Sequence, residues 1–174
     1  MSGPRRVLHE YVTEVATISG MCRGSEFRGS WMKERSRPQW LAIASCVAAI
    51  GTLVPVALYQ SGAIEHLPDP PGWRFDSDRL TMAPGSRPLG IPDSYLGLAS
   101  YGTTLALLLS PARDPLMNAA RHAKLGLDAA MAASKVAGQV RKGRYCSWCL
   151  GTAGATAAML WLGYRAGRLR REAR

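Results

Sequence analysis

Three long stretches of the chain carry no charged residue, and charged segments separate them. The uncharged stretches cover residues 38–64, 94–112 and 145–164. A bilayer core about 30 Å thick needs about 20 apolar residues in a helix, and each stretch is close to that length. The pattern therefore predicts membrane-spanning helices over about residues 40–59, 92–110 and 147–164. The overall composition, 47% hydrophobic and 20% charged, would by itself suit a soluble domain, but its uneven distribution along the chain indicates an integral membrane protein.

A further helix is expected over about residues 115–138, where the sequence is rich in alanine and also carries charges. Each charge near the centre of a bilayer costs about 2.5–3.5 kcal/mol. Asp128 follows Lys124 by four residues, so the two side chains can pair on one helix face and reduce that cost. The many alanines allow close helix contact. Two interpretations remain for this segment, a span enclosed by protein and a helix at the membrane surface.

Basic residues are concentrated at both ends of the chain, and their distribution bears on the choice between the two interpretations of residues 115–138. They are Arg5, Arg6, Arg23, Arg28, Lys33, Arg35 and Arg37 before the first span, and Arg165, Arg168, Arg170, Arg171 and Arg174 after the last. Basic residues beside spans mark the cytoplasmic side and favour anionic lipid headgroups. Four spans return both basic ends to that side, whereas an odd number would leave one end outside. The even count favours the enclosed span.

The predicted fold class is therefore all-α, an integral membrane four-helix bundle with an extramembrane loop between helices 1 and 2. Residues 1–39 are expected to form a basic, disordered cytoplasmic lead, residues 40–165 the transmembrane domain, and residues 166–174 a basic cytoplasmic tail. The loop over residues 60–89 is too long and polar for a hairpin turn and is expected to be an ordered cap. A helix start with Pro92 and an Asp93/Ser94 cap is expected after it. The net charge of +10 does not indicate nucleic-acid binding, because no recognisable binding module presents it.

The sequence Tyr-Cys-Ser-Trp-Cys-Leu at residues 145–150 carries the most informative chemistry. At the beginning of a helix, Cys146 and Cys149 lie one turn apart on one face, within reach of a disulfide. The helix N-terminus and the basic residues Arg141, Lys142 and Arg144 are expected to favour the thiolate. We therefore predict a reversible dithiol/disulfide centre. The alternatives are two structural cysteines or half of a zinc site, and no second pair of zinc ligands has a useful spacing; no metal is predicted.

Other candidate side chains give weaker signals. Cys46 lies within the first span and is expected to be a packed core thiol. His122 is expected to be buried or at a helix end, and His66 to be a solvated loop residue. Trp148 and Tyr101 are aromatic candidates for binding a cofactor, with packing or interfacial anchoring as the alternative for each.

The four-span layout, the sequence LGIPDSYLGLASYG at residues 89–102 and the sequence YCSWCL at residues 145–150 together resemble the vitamin K epoxide reductase family. The resemblance covers about residues 40–164. The stretches at residues 68–73 (PDPPGW) and 75–78 (FDSD) are similar to a bacterial branch of that family.

The resemblance implies a thiol:quinone oxidoreductase of a bacterial inner membrane. Its helices would enclose a quinone of the menaquinone or ubiquinone type, which Cys149 would attack or face. Cys146 would exchange with an incoming thiol, such as that of a thioredoxin-like protein outside the cytoplasm. Both termini would be cytoplasmic and the Cys-x-x-Cys pair would lie at the outer face. Electrons would pass from the thiol donor to the quinone and support disulfide formation.

One departure from the family pattern concerns the electron donor. Well-known members carry two further cysteines in the outer loop, whereas residues 60–91 of this chain contain none. Either a partner thiol protein reaches Cys146 directly, or another donor is used, or redox function has been lost. The alternative function, a non-catalytic membrane subunit or binding module with a structural disulfide, therefore stays open at this point.

Overall fold

The structure of the chain, a computed structural model, describes residues 36–71, 74–110 and 115–172. Among these residues it contains five α-helices and no β-strand. The helices are α1 (Arg37–Gln60), α2 (Ser77–Thr81), α3 (Asp93–Leu109), α4 (Pro115–Lys142) and α5 (Ser147–Glu172). The lead expected over residues 1–39 falls almost entirely outside the described residues. The all-helical fold predicted from the sequence is confirmed.

The four long helices coincide with the four predicted spans, and α1, α4 and α5 are longer than predicted whereas α3 is one residue shorter at each end. α4 continues about one turn beyond its predicted end to Lys142, and α5 runs on to Glu172 through most of the predicted basic tail. Among the described residues, α1 is the helix that is long and apolar enough to cross a membrane by length and composition. α3 has only 17 residues, α4 carries charges, and α5 contains four glycines and ends in charged residues. The membrane bundle of four helices accordingly stays a prediction.

Each long helix packs against two others. α1 packs against α5 and α3, and α4 packs against the same two helices. Their shared core is formed by Ala42, Ile43, Cys46, Ala49, Tyr101, Leu108, Leu125 and Met159. Small residues permit the close crossings, because a Cβ atom added at Gly163 would lie only 2.6 Å from a Leu125 methyl carbon. This packing holds the N-terminus of α5 in a fixed position at one end of the bundle.

A polar cluster joins α3 to α4. Asp128 is buried and accepts hydrogen bonds from Ser100, Thr104 and Lys124. Lys124 Nζ also donates to the hydroxyls of Ser100 (2.8 Å) and Thr104 (2.9 Å). The predicted pairing of Lys124 with Asp128 is thus confirmed. Both charges face α3 and have little exposed surface, and the choice between an enclosed span and a surface helix stays a prediction.

The beginning of α3 differs from the expectation. Pro92 occupies the cap position, and the side chain that reaches a first-turn N–H is Gln60 of α1, whose Oε1 accepts the N–H of Ser94 at 3.4 Å. The Asp93 carboxylate instead pairs with Lys135 Nζ at 2.6 Å and accepts a hydrogen bond from Gln60 Nε2 at 3.0 Å. The predicted Asp/Ser cap was therefore wrong. An ion pair with α4 and an amide of α1 take the carboxylate away from the backbone N–H groups that it would have capped.

Candidate redox site

Cys146 occupies the N-cap position of α5, directly before the helix begins at Ser147. Its sulfur accepts a hydrogen bond from the backbone N–H of Cys149 at 3.2 Å. The N–H groups of a first helical turn have no acceptor within the helix, so a side-chain acceptor at the N-cap satisfies one of them. The Cys149 thiol also donates to the same sulfur. Both cysteines are free thiols, and the predicted one-turn spacing brings them into direct contact.

The two cysteines differ in exposure. Cys146 has no exposed surface, whereas Cys149 is only partly buried. The backbone N–H of Cys146 donates to the side-chain oxygen of Gln139 on α4 at 2.9 Å. Gln139 is itself buried. Cys146 is therefore held from both sides, by α5 through Cys149 and by α4 through Gln139.

Backbone pairing holds the loop between α1 and α3, residues 61–92, against Cys146. The N–H of Tyr145 donates to the carbonyl of Arg74 at 2.8 Å, and the N–H of Asp76 donates to the carbonyl of Tyr145 at 3.0 Å. These two hydrogen bonds form a short parallel bridge between Phe75 and Tyr145. Arg144 forms an ion pair with Asp76 across the same contact. The predicted ordered cap is thus docked on the residues that precede the redox pair.

A second contact between loop and helix is built around one carboxylate, and we call Asp69, Ser77 and Ser147 the Asp69 cluster. Asp69 Oδ1 accepts hydrogen bonds from the hydroxyls of Ser77 and Ser147, each at 2.6 Å. Asp69 Oδ2 accepts the backbone N–H of Ser77 at 2.8 Å. The N–H of Ser147 donates to Ser77 Oγ at 3.2 Å. These contacts join the loop, helix α2 and the first residue of α5 beside the Cys146 sulfur.

Hydrogen bonding lowers the pKa of Cys146 to about 7. The largest cause is the hydrogen bond from the Cys149 thiol, which stabilises the thiolate. Burial opposes this effect, the Ser77 hydroxyl and the Cys149 N–H assist it, and the negative charge of Asp69 raises the pKa. Burial also raises the pKa of Asp69, but its hydrogen bonds from Ser147 and Ser77 outweigh burial and hold that pKa below the usual value. Asp69 and Cys146 are thus neighbouring anions that are solvated by the same few donors.

The expected source of thiolate stabilisation was wrong in one respect. The sequence suggested that Arg141, Lys142 and Arg144 would favour the thiolate by their positive charge. Arg141 and Lys142 are exposed, and Arg144 is paired with Asp76. Solvent screens the exposed charges of Arg141 and Lys142, and the ion pair with Asp76 largely neutralises Arg144. Hydrogen bonds, and not these three charges, therefore stabilise the Cys146 thiolate.

The two aromatic candidates both have protein partners. Trp148 Nε1 donates to the carbonyl of Pro68 at 3.1 Å and so holds the loop on α5. The buried Tyr101 hydroxyl is hydrogen-bonded to Thr156 Oγ1 at 2.6 Å, within the helix core. Binding of a cofactor by these two residues stays a prediction.

The remaining sequence candidates lie away from the pair. Cys46 is buried and contacts the carbonyl of Tyr101 at 3.4 Å, which confirms it as a core thiol. His122 is partly buried and bonds the carbonyl of Asn118 at 2.7 Å, as expected for a satisfied helix residue. His66 is exposed but is not simply solvated, because its Nδ1 lies 2.6 Å from Asp78. Within the described ranges, no three His, Cys, Asp or Glu side chains converge into a group that could hold a metal ion.

A charged pair lies on the other side of the redox pair. Asp93 of α3 and Lys135 of α4 both act electrostatically on Cys149. Gln60 connects Asp93 to the loop, since its amide donates to the carbonyl of Thr81 at 2.7 Å and accepts from Ser94. The groups near Cys149 therefore come from α1, α3 and α4, whereas those near Cys146 come mainly from the loop.

A family model described as "Vitamin K epoxide reductase family" matches residues 39–164, which is most of the chain and includes the whole Cys146–Cys149 site. The chain belongs to the vitamin K epoxide reductase family. This confirms the resemblance seen in the sequence, and the family consists of membrane-associated oxidoreductases that use quinones. No curated protein and no solved structure gave a significant match.

The sequence does not single out four residues that surround Cys146 in this family member. They are Asp69, Ser77, Gln139 and Ser147. Three of them lie in stretches that contributed to the resemblance, Asp69 in residues 68–73, Ser77 in residues 75–78 and Ser147 in residues 145–150. The spacing does not reveal the contacts of Asp69 and Ser77, because the loop crosses about 70 residues of sequence to reach the helix.

Proposed function

We propose that this chain is a membrane thiol:quinone oxidoreductase that uses Cys146 and Cys149 as its dithiol/disulfide centre. The observation that carries the proposal is the direct contact between a buried Cys146 sulfur and both the thiol and the N–H of Cys149. Such a pair can close to a disulfide without moving the helix. Membership of a quinone-using oxidoreductase family supports this chemistry.

In the proposed reaction Cys149 is the residue that meets the quinone. Cys146 as thiolate accepts the proton of the Cys149 thiol, and the Cys149 sulfur then adds to the quinone ring. The Cys146 thiol next gives its proton to the adduct and attacks the Cys149 sulfur, so that an S–S bond forms and the C–S bond breaks. The electron pair of that bond passes to the ring, which takes up one further proton from water and leaves as the quinol. The partial exposure of Cys149 and the full burial of Cys146 fit these roles.

A thiol donor then restores the dithiol through Cys146. The donor thiolate attacks Cys146 and forms a mixed disulfide, its second thiol resolves that bond, and Cys146 and Cys149 each take up a proton. Because the docked loop covers Cys146, the donor has to displace residues near Pro68 and Phe75 first. A thioredoxin-like protein outside the cytoplasm is the proposed donor, and it would stand in for the loop cysteines that the chain lacks.

The proposal includes the membrane arrangement predicted from the sequence. α1, α3, α4 and α5 would each cross the bilayer of a bacterial inner membrane, with both termini in the cytoplasm and the Cys-x-x-Cys pair at the outer face. The apolar α1 and the pairing of Lys124 with Asp128 inside the bundle support this arrangement. Charged residues within a membrane domain are tolerated where they face the protein interior and are paired.

The test is quinol formation by the purified protein in detergent, with a small dithiol donor and either menaquinone or ubiquinone. We expect turnover that Cys146→Ala and Cys149→Ala each abolish. A Cys22→Ser/Cys46→Ser double variant should retain turnover, because neither cysteine belongs to the centre. Absence of turnover with both quinones, in folded protein whose thiols react with the donor, would contradict the proposal.

The competing function is that of a non-catalytic membrane subunit with a structural disulfide. The burial of Cys146 under a loop without cysteines is the observation that favours it. A structural disulfide would stay oxidised whatever the quinone present, whereas a redox centre would change its thiol content with the quinone. The same purified protein distinguishes the two functions.

A further inference from the structure

Asp69 and Cys146 have one neighbour in common, the hydroxyl group of Ser77. Ser77 Oγ donates to Asp69 Oδ1 at 2.6 Å, and the same hydroxyl also acts on Cys146 by lowering the pKa of that thiol. It accepts the N–H of Ser147 at 3.2 Å, which fixes its oxygen in place between the two anions. Ser77 is completely buried, so water does not replace either contact.

A serine hydroxyl has a single proton and can donate one full hydrogen bond at a time. The short 2.6 Å contact and the carboxylate charge direct this proton to Asp69. The sulfur of Cys146 then keeps only a weakened contribution from the Ser77 hydroxyl and depends mainly on its two donors from Cys149. A competition for one proton therefore connects the loop carboxylate to the redox cysteine.

We propose that Asp69 is a positioning residue that tunes the Cys146–Cys149 couple by holding the hydroxyl proton of Ser77 away from the Cys146 sulfur. The inference rests on the proposed function for its purpose, since a tuned couple matters only if the pair cycles. The couple takes up two electrons and two protons when the disulfide opens to the dithiol. A less stabilised thiolate makes the dithiol the stronger reductant, so Asp69 favours transfer of electrons onward to the quinone.

Three other elements bring charged or polar groups close to Cys146. On α5 the titratable neighbour is Cys149, which is itself influenced by Asp93 and Lys135. On the loop side Asp76 is present, paired with Arg144. The contact from α4 is the uncharged Gln139. Asp76 thus serves as a matched control, being a loop carboxylate of equal charge whose side chain has no contact with Ser77.

The test is a pH titration of the thiolate ultraviolet absorbance in reduced, detergent-purified full-length protein. A Cys22→Ser/Cys46→Ser background leaves the Cys146–Cys149 pair as the source of thiolate, and the oxidised protein provides the baseline. We expect Asp69→Asn to move the titration midpoint of Cys146 to lower pH by about one unit, because a neutral amide oxygen holds the Ser77 proton less firmly than a carboxylate and the hydroxyl can then donate to the sulfur. Ser77→Ala should then raise the midpoint more in the Asp69→Asn background than in the parent.

The equilibrium with a glutathione redox buffer gives a second readout that loss of packing alone would not produce. At a pH above both midpoints, Asp69→Asn should shift the pair toward the dithiol by up to about tenfold. Asp76→Asn retains the cap of α2 and releases the exposed Arg144, so it should shift both readouts less than Asp69→Asn. Ser147→Ala removes one hydrogen bond from Asp69 while keeping the Ser77 contact, and it should cause a smaller shift than Asp69→Asn.

Three results would overturn the proposal. They are an unchanged midpoint in Asp69→Asn, an equal effect of Ser77→Ala in both backgrounds, and an equal shift in Asp76→Asn. If Asp69→Asn does not fold, Ser77→Ala in the parent decides alone, since a rise in the midpoint of one unit or more would mean that Ser77 already donates to Cys146. These titrations need no quinone, so they separate failure of this inference from failure of the proposed function.

Discussion

At the scale of single residues, the chemistry of the site follows from the place of Cys146 at the end of a helix. A sulfur at the N-cap accepts the N–H that an oxygen side chain usually accepts, and the acceptor is strongest when it is ionised. The same position places Cys149 where its thiol can share the charge. One residue thus caps α5 and serves as half of the proposed redox centre.

The lowered pKa of Cys146 predicts a pH dependence of stability. Its pKa is about 7 in the folded protein and 9.0 for the unperturbed thiol, so the unfolded chain binds more protons between these values. The free energy of unfolding of the reduced protein should therefore rise from pH 7 to pH 9, by about 2 kcal/mol at most, and this gain should be lost as the pH falls through 7.

Thermal unfolding of reduced protein across this pH range measures the effect, with Cys146→Ala as the control. The variant differs in packing as well, so the difference in pH slope is the quantity to compare. Equal slopes for the parent and Cys146→Ala between pH 7 and pH 9 would show that Cys146 is not a stabilised thiolate.

At the scale of elements, the loop over residues 61–92 and helix α5 act as one unit. Backbone pairing at Phe75, the Asp69 cluster and the indole of Trp148 attach the loop over a short stretch of α5 and the residues just before it. The loop therefore both excludes water from Cys146 and restricts the approach of a thiol donor.

Weakening one of these attachments should make Cys146 more reactive. Trp148→Phe keeps an aromatic ring but removes the hydrogen bond to Pro68, so we expect the loop to open more often and Cys146 to exchange faster with a small disulfide reagent. Trp161→Phe is the matched control, because Trp161 lies farther along α5 and stacks on Arg165. Equal exchange rates in the two variants would contradict a covering role for the loop.

The cluster between α3 and α4 gives a second prediction at this scale. Lys124→Met leaves the buried Asp128 without its counter-charge and should lower the free energy of unfolding by about 3–5 kcal/mol. Asp128→Asn should have a smaller effect, since the amide still has partners in Ser100 and Thr104. The double variant Lys124→Met/Asp128→Asn should recover part of the loss, because no unpaired charge remains.

Unfolding in detergent, followed by helical circular dichroism, provides these free energies. Strictly additive effects of the two substitutions would show that the two charges are not coupled, and would remove the argument that pairing allows α4 to lie inside the bundle.

At the scale of the whole molecule, the sequence predicted the elements better than their contacts. The approximate lengths of the helices could be predicted because they follow from local hydropathy. The Lys124–Asp128 pair could be predicted because it follows from helical spacing. The partners of Cys146 could not be predicted, since Asp69 and Ser77 reach it through tertiary docking of the loop. The cap of α3 was predicted wrongly for the same reason, because Lys135 and Gln60 compete for Asp93.

The proposed function depends above all on the passage of electrons from the Cys146–Cys149 pair to a quinone. The most direct measurement is a single turnover, in which the reduced Cys22→Ser/Cys46→Ser protein is mixed with menaquinone or ubiquinone without any donor. The number of free thiols and the amount of quinol are then counted together. We predict that two thiols disappear for each quinol formed. Full retention of both thiols with each quinone, in folded protein, would contradict the proposed function.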